Sequence, residues 1–134
     1  MSPRTPSPPP TVATRSFARS ENYRSANVPP LCSWISLLTT ASKRLRSSGH
    51  ENVGIALQSY LYRTPADLTH LLPLAPNVRI VKGAYLEPAE IAHPEKKDVD
   101  EAYVALVETG LRAGAHIAVA THDEQIIRHV QAFA

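Results

Sequence analysis

From residue 51 onward, apolar and polar positions alternate in blocks with a regular beat. Val53-Gly54-Ile55-Ala56-Leu57 is a short unbroken apolar run, as expected of a strand buried on both faces of a parallel sheet. Thr64-Pro65-Ala66-Asp67 then opens a helix, with Thr64 as N-cap and Pro65 at the first helical position; it stops before Pro73. A second apolar run, Val78-Arg79-Ile80-Val81, leads into Lys82-Gly83. After a loop holding Pro88 and Pro94, Asp98 or Asp100 caps a longer helix reaching Ala113, with Val104, Val107 and Leu111 on one face and Gly114 at its end. His116-Ile117-Ala118-Val119-Ala120 is the third strand, and Asp123 caps a last helix carrying Ile126, Ile127 and Val130. Strands alternating with helices, without hairpin turns, predict an α/β fold with a parallel sheet and right-handed crossovers.

Upstream the beat is lost. Residues 1–30 show neither period, and Pro8-Pro9-Pro10 favours polyproline II. Such a segment buries too little apolar surface to offset the entropy of ordering, so it reads as a disordered tail. An Arg- and Ser-rich organelle transit peptide and a basic arm for nucleic acid or a membrane surface are the alternatives. In residues 31–48, Trp34, Leu37, Leu38, Ala41 and Leu45 recur at helical spacing, with Lys43, Arg44 and Arg46 toward the end and Gly49 as a stop. That helix is expected to pack on the following domain, the alternative being a membrane-surface or partner helix. The chain therefore divides into 1–30, 31–48 and 49–134.

Composition sharpens this division. The 134 residues allow one small domain, and the formal net charge of +2 argues against a dedicated nucleic-acid binder. The total hides an asymmetry: residues 1–50 carry seven basic side chains against Glu21 alone, residues 51–134 seven against eleven acids. No apolar run approaches the roughly 20 residues of a membrane-spanning helix. Cys32 is the single cysteine, which excludes an internal disulfide framework and a cysteine-based zinc knot. His116, His122 and His129 fall along a strand, turn and helix and cannot meet at one ion, so no metal site is expected.

The chemically capable residues sit where each strand ends. Gln58 follows the first, Lys82-Gly83-Ala84 the second and Thr121-His122-Asp123 the third. In parallel α/β folds that carboxyl edge is where ligands bind, so one shared site is expected. Gln58 can donate and accept at once, which suits a heterocycle edge or a loop tether. Arg79, flanked by Val78 and Ile80, must face either solvent or a polar barrel interior. Lys82 reads as a Schiff-base amine, as a companion to a planar cofactor lying on Gly83 and Ala84, or as a plain strand exit. His122 stands before a helix N-terminus, which favours a phosphate.

Taken together, Asn52–Thr64 (NVGIALQSYLYRT), Arg79–Pro88 (RIVKGAYLEP) and Ala120–Glu124 (ATHDE) resemble the bacterial proline dehydrogenases, flavoenzymes built on a distorted (β/α)8 barrel. The resemblance covers roughly residues 49–134. It implies oxidation of L-proline to Δ1-pyrroline-5-carboxylate by hydride transfer to FAD, in proline catabolism, with electrons passing to a membrane quinone. It implies that Gln58 bonds the flavin ring and that Arg79, the catalytic residue, stands beside flavin N5. Lys82, Gly83 and Ala84 would lie along the cofactor, Tyr85 would line the proline pocket, and Thr121 and His122 would hold the adenosine and pyrophosphate end. A bacterial cytoplasmic location with peripheral contact at the inner membrane follows, a mitochondrial one being the alternative.

Three elements of the family pattern have no counterpart: a substrate-binding lysine and a catalytic aspartate on earlier strands, and an arginine pair on a late helix. The expected fold is thus a partial TIM-type barrel of about three βα units. Its inner face would be exposed apolar surface with open sheet edges, and a complementary chain would be needed to close it. The alternatives in function are a non-catalytic interaction module and an aldolase-type lyase using Lys82. The chain alone is expected to be marginally stable, to bind FAD weakly and to turn over little. Dye-coupled oxidation of L-proline at full-enzyme rates would contradict this.

Overall fold

The structure is a computed structural model that describes residues 31–134, with side chains from Ser36 onward. The readings of residues 1–30, and of the side chains of Cys32 and Trp34, lie outside the described residues. Helix α1 (Leu31–Ser47) leads to β1 (Gly54–Gln58), α2 (Thr64–Leu71) with a 3-10 turn at Leu72–Leu74, β2 (Asn77–Val81), α3 (Lys96–Arg112), β3 (His116–Val119) and α4 (Glu124–Phe133). The strands form one parallel sheet in the order β1-β2-β3. Gly54 stands opposite Asn77, and Asn77 opposite His116. The α/β alternation read from the sequence is therefore present. No helix among the described residues is long and apolar enough to cross a membrane.

Strand geometry sends successive side chains to opposite faces, and here only one face is covered. Ile55 and Leu57 of β1 and Val78 and Ile80 of β2 enter a core with Leu68 and Leu71 of α2, Tyr103, Leu106 and Val107 of α3, and Ile126 and Val130 of α4. Gly54, Ala56 and Arg79 are exposed on the other face. The expectation of strands buried on both faces is thus corrected. Gly54 and Ala56 count as apolar in the run 53–57, yet they are small enough to stand on an open surface at little cost. The same register sets Arg79 between Ala56 and Ala118, so the open face is small and polar rather than the apolar surface expected.

Two helix starts also differ from expectation. Thr64 is the first residue of α2 rather than its cap; Arg63 holds the cap position, and the Thr64 hydroxyl instead donates to the Gln58 carbonyl at 2.6 Å. Helix α3 begins at Lys96, which puts Asp98 in its first turn and Asp100 a turn deeper, so neither caps it. Asp123 does cap α4: its Oδ1 accepts from the amides of Gln125 (3.1 Å) and Ile126 (3.4 Å). At the far end of α3, Gly114 takes the left-handed φ of +70° that ends a helix.

Helix α1 packs on the domain through an unexpected face. Leu37, Leu38 and Leu45 are 60%, 57% and 43% exposed, whereas Thr39 and Ser42 are buried. Arg46 explains the choice. Its guanidinium donates to the carbonyls of Leu74 (3.0 Å), Glu51 (2.7 Å) and Ala75, which close the 3-10 turn and precede β1. These charge-assisted bonds tie the helix to the turn and to the approach to β1, and the leucines are left outside.

These environments predict contrasting substitutions. Leu68→Ala, at a fully buried site, should cost about 2–5 kcal/mol. Leu37→Ala should stay within about 0.5 kcal/mol of wild type. Urea unfolding followed by circular dichroism checks both; equal effects would refute the assigned core.

Candidate functional site

The carboxyl ends of the three strands open onto one cavity of about 480 Å³, lined by Gln58, Val81, Lys82, Gly83, Ala84, Tyr85, Ala120 and Thr121. That volume falls within the roughly 300–1,000 Å³ of small-molecule sites. Six of the residues picked from the sequence thus share one space: Gln58 from β1, Lys82 through Tyr85 from the exit of β2, and Thr121 from the exit of β3. Arg79 and His122 are not in the lining. Arg79 lies further back on the open face, exposed, with no hydrogen bond or ion pair among the described residues. His122 is exposed just before α4. A groove of similar size between α3 and α4 contains no strand-end residue.

Backbone bonds extend the sheet into this rim. The Ser59 and Tyr60 amides donate to the Val81 (2.8 Å) and Lys82 (3.0 Å) carbonyls, so β1 and β2 stay joined past Gln58. On the other side the Ala120 amide (3.1 Å) and the buried Tyr103 hydroxyl (3.0 Å) both donate to the Ile80 carbonyl. Thr64 pins the Gln58 carbonyl as described, and the Gln58 amide makes no hydrogen bond among the described residues. Gly83 is required where it stands. Its φ is +118°, and a Cβ there would lie 2.3 Å from Cδ1 of Tyr60, whose ring packs on the glycine. Burial, then the nearby Glu87 and Tyr85, pushes the Tyr60 hydroxyl up to about 12.

Lys82 is held from two helices. Its Nζ lies 2.5 Å from an Asp100 oxygen on α3 and 3.1 Å from Asp123 at the start of α4. Lys96 also bonds Asp100 and lies 3.8 Å from Asp123. Burial alone would lower the Lys82 pKa, but the bonds to Asp100 and then Asp123 outweigh it and raise it. Lys82 is thus an ion-paired ammonium, whereas a Schiff-base amine relies on a lowered pKa. For Asp100, burial pushes upward and the bonds to Lys82 and Lys96 overcome it; for Asp123 the Lys82 bond comes first, and both carboxylates titrate below the ordinary range.

The third strand supplies Thr121, whose Oγ1 accepts the Asp123 amide at 3.1 Å. That leaves its hydroxyl hydrogen free to donate into the cavity. Two of the first-turn amides of α4 are already taken by Asp123, which narrows the N-terminal anion site imagined for His122. Sequence reading gave Tyr60 and Tyr103 no role, took Asp100 only as a possible cap, and placed Asp123 as a cap and among the strand-end residues without pairing either carboxylate with Lys82. The i,i+4 spacing of Lys96 and Asp100 was the one local signal available.

Comparisons with known proteins place the chain in a family. Residues 32–134 match the family model described as proline dehydrogenase. A proline dehydrogenase of Deinococcus radiodurans is 56% identical over 85 residues, 63% of this chain and 27% of that protein. Proline dehydrogenase 2 of Bacillus subtilis is 47% identical over 78 residues, 58% of this chain and 26% of that protein. The chain thus spans about a quarter of the length of these curated relatives. Among solved structures, proline utilization A from Bdellovibrio bacteriovorus, inactivated by N-propargylglycine, superposes with a TM-score of 0.64 at 24% identity, covering 73% of this chain and 12% of that one. That likeness concerns the fold.

The Lys82 cluster predicts a pH signature. Lowered carboxylate pKa values stabilise the fold above the ordinary 3.8, and this is lost as pH falls through them. A raised lysine pKa stabilises below the ordinary 10.5, and this is lost as pH rises through the raised value. The difference in urea midpoint between wild type and Lys82→Met should therefore be flat between about pH 5 and 10 and shrink on both sides. A pH-independent difference would rule out the ion pairs.

Proposed function

The chain belongs to the proline dehydrogenase family, and we propose that it forms the flavin-facing section of a proline-oxidising (β/α)8 barrel. In this reading its three strands and their helices are about three of the eight βα units. The observation that carries it is the shared cavity at the three strand ends, with the unpaired Arg79 behind it on the same sheet face. L-Proline is the substrate, FAD the cofactor and Δ1-pyrroline-5-carboxylate the product. Quinone as acceptor, and work at the cytoplasmic face of a bacterial inner membrane, rest on the family resemblance alone.

The residues present fit an isoalloxazine ring. Gly83, Ala84 and Ala120 leave the cavity wall without bulky side chains, so a flat ring can approach the backbone. The Gln58 amide offers a donor and an acceptor to the pyrimidine edge. When bound, FAD supplies the hydride acceptor. Arg79 provides a cation, its position flanked by Ala56 and Ala118, that favours negative charge developing nearby. Tyr85, 63% exposed in the lining, is assigned to the proline pocket. The Thr121 hydroxyl donates to a phosphate or sugar oxygen, with His122 beside it.

A second reading, pairing with a complementary chain, is favoured by the sheet edges. Neither the outer edge of β1 nor that of β3 is bonded to another strand among the described residues.

Flavin fluorescence titration tests the first reading. Arg79→Met and Gln58→Leu should each weaken FAD binding about 10–100-fold, the worth of a hydrogen bond involving a charged or well-placed polar group. Unchanged affinity in both would overturn it. Dye reduction with L-proline, with and without a candidate complementary chain, separates the two readings.

A further inference from the structure

Asp123 draws together three parts of the candidate site without lining it. Its Oδ1 caps α4 through Gln125 and Ile126, and its Oδ2 lies 3.1 Å from Lys82 Nζ at the exit of β2. Its own amide donates to Thr121 Oγ1 at the exit of β3. We infer that Asp123 is a positioning residue for the cofactor site: one carboxylate fixes Lys82 and the start of α4 together, holding the exits of β2 and β3 at a set separation.

The physical case has three parts. Lys82 and Thr121 both line the cavity and lie on adjacent strands, beyond the last β2–β3 pair at Ile80 and Val119. Past that pair, among the described residues, the two strands are joined by the bond from the Ala120 amide to the Ile80 carbonyl. The Asp123 carboxylate, two residues beyond Thr121 and tied to its Oγ1 through the main-chain amide, reaches across this rim to Lys82. Asp100 holds the same ammonium from α3, so Lys82 is fixed by two anchors on two helices rather than swinging on its four-carbon stem. Finally, because Thr121 Oγ1 already accepts the Asp123 amide, the threonine rotor is biased toward donating its hydrogen to a ligand.

This inference rests on the flavin reading, and its test keeps the two separable. Wild type, Asp123→Asn, Asp123→Ala, Lys82→Met and the Asp123→Asn/Lys82→Met double variant are titrated with FAD by fluorescence. Amide hydrogen exchange is followed at Gln125 and Ile126. Asp123→Asn retains a cap oxygen but loses the charge that holds Lys82. It should keep slow exchange at both amides while FAD affinity falls about 5–10-fold. Lys82→Met should weaken binding similarly, and the double variant should show no further loss, as expected for residues acting as a unit.

In Asp123→Ala both exchange protection and affinity should fall. If Asp123→Asn binds FAD like wild type, or if affinity falls only where cap protection is lost, Asp123 is merely a helix cap and the inference is wrong. Additive losses in the double variant would also overturn it. Failure of the unsubstituted chain to bind FAD at all would remove the flavin reading and this inference with it.

Discussion

A parallel sheet covered by helices on one side is the constraint from which the rest of this molecule follows. Because side chains alternate along a strand, covering one face commits Ile55, Leu57, Val78 and Ile80 to the core. The intervening positions are then free of packing demands. Gly54, Ala56, Gln58, Arg79 and Val81 occupy them on β1 and β2, and of these Gln58 and Arg79 would be costly in a sheet buried on both faces. An unpaired arginine in the middle of a strand is tolerated only because its face is open.

The site is built where this alternation ends. Beyond Gln58, Val81 and Val119 the strands are no longer paired along their full width, and loop residues take over. Two devices keep the rim ordered. One is steric: the Tyr60 ring packs on Gly83, which sits at a φ that side chains rarely adopt. The other is electrostatic: Lys82 is held between carboxylates from α3 and α4. The first fixes the backbone of Gly83 at the cavity wall. The second keeps a cation at its edge.

Helix α1 shows the limits of hydrophobic pattern as a guide. Its leucines have the spacing of a buried stripe, yet they stay in solvent while Arg46 decides how the helix lies. Carbonyls at the end of a 3-10 turn have no partners of their own, and a guanidinium with five donors satisfies several at once.

Much of the fold was legible in the residues. The three apolar runs became β1, β2 and β3, the periodic segments became helices, and Asp123 capped α4, because local periodicity and capping chemistry act over a few residues. The convergence of Gln58, Lys82, Gly83, Ala84, Tyr85 and Thr121 also followed from strand order, since parallel strands with helical returns place all carboxyl ends on one edge. Tertiary structure alone decided which face of each strand was covered and which face of α1 was buried. It also turned Asp100 and Asp123 toward Lys82 across 18 and 41 residues of chain. Those outcomes depend on contacts between segments far apart in sequence, where no local period or cap carries the information.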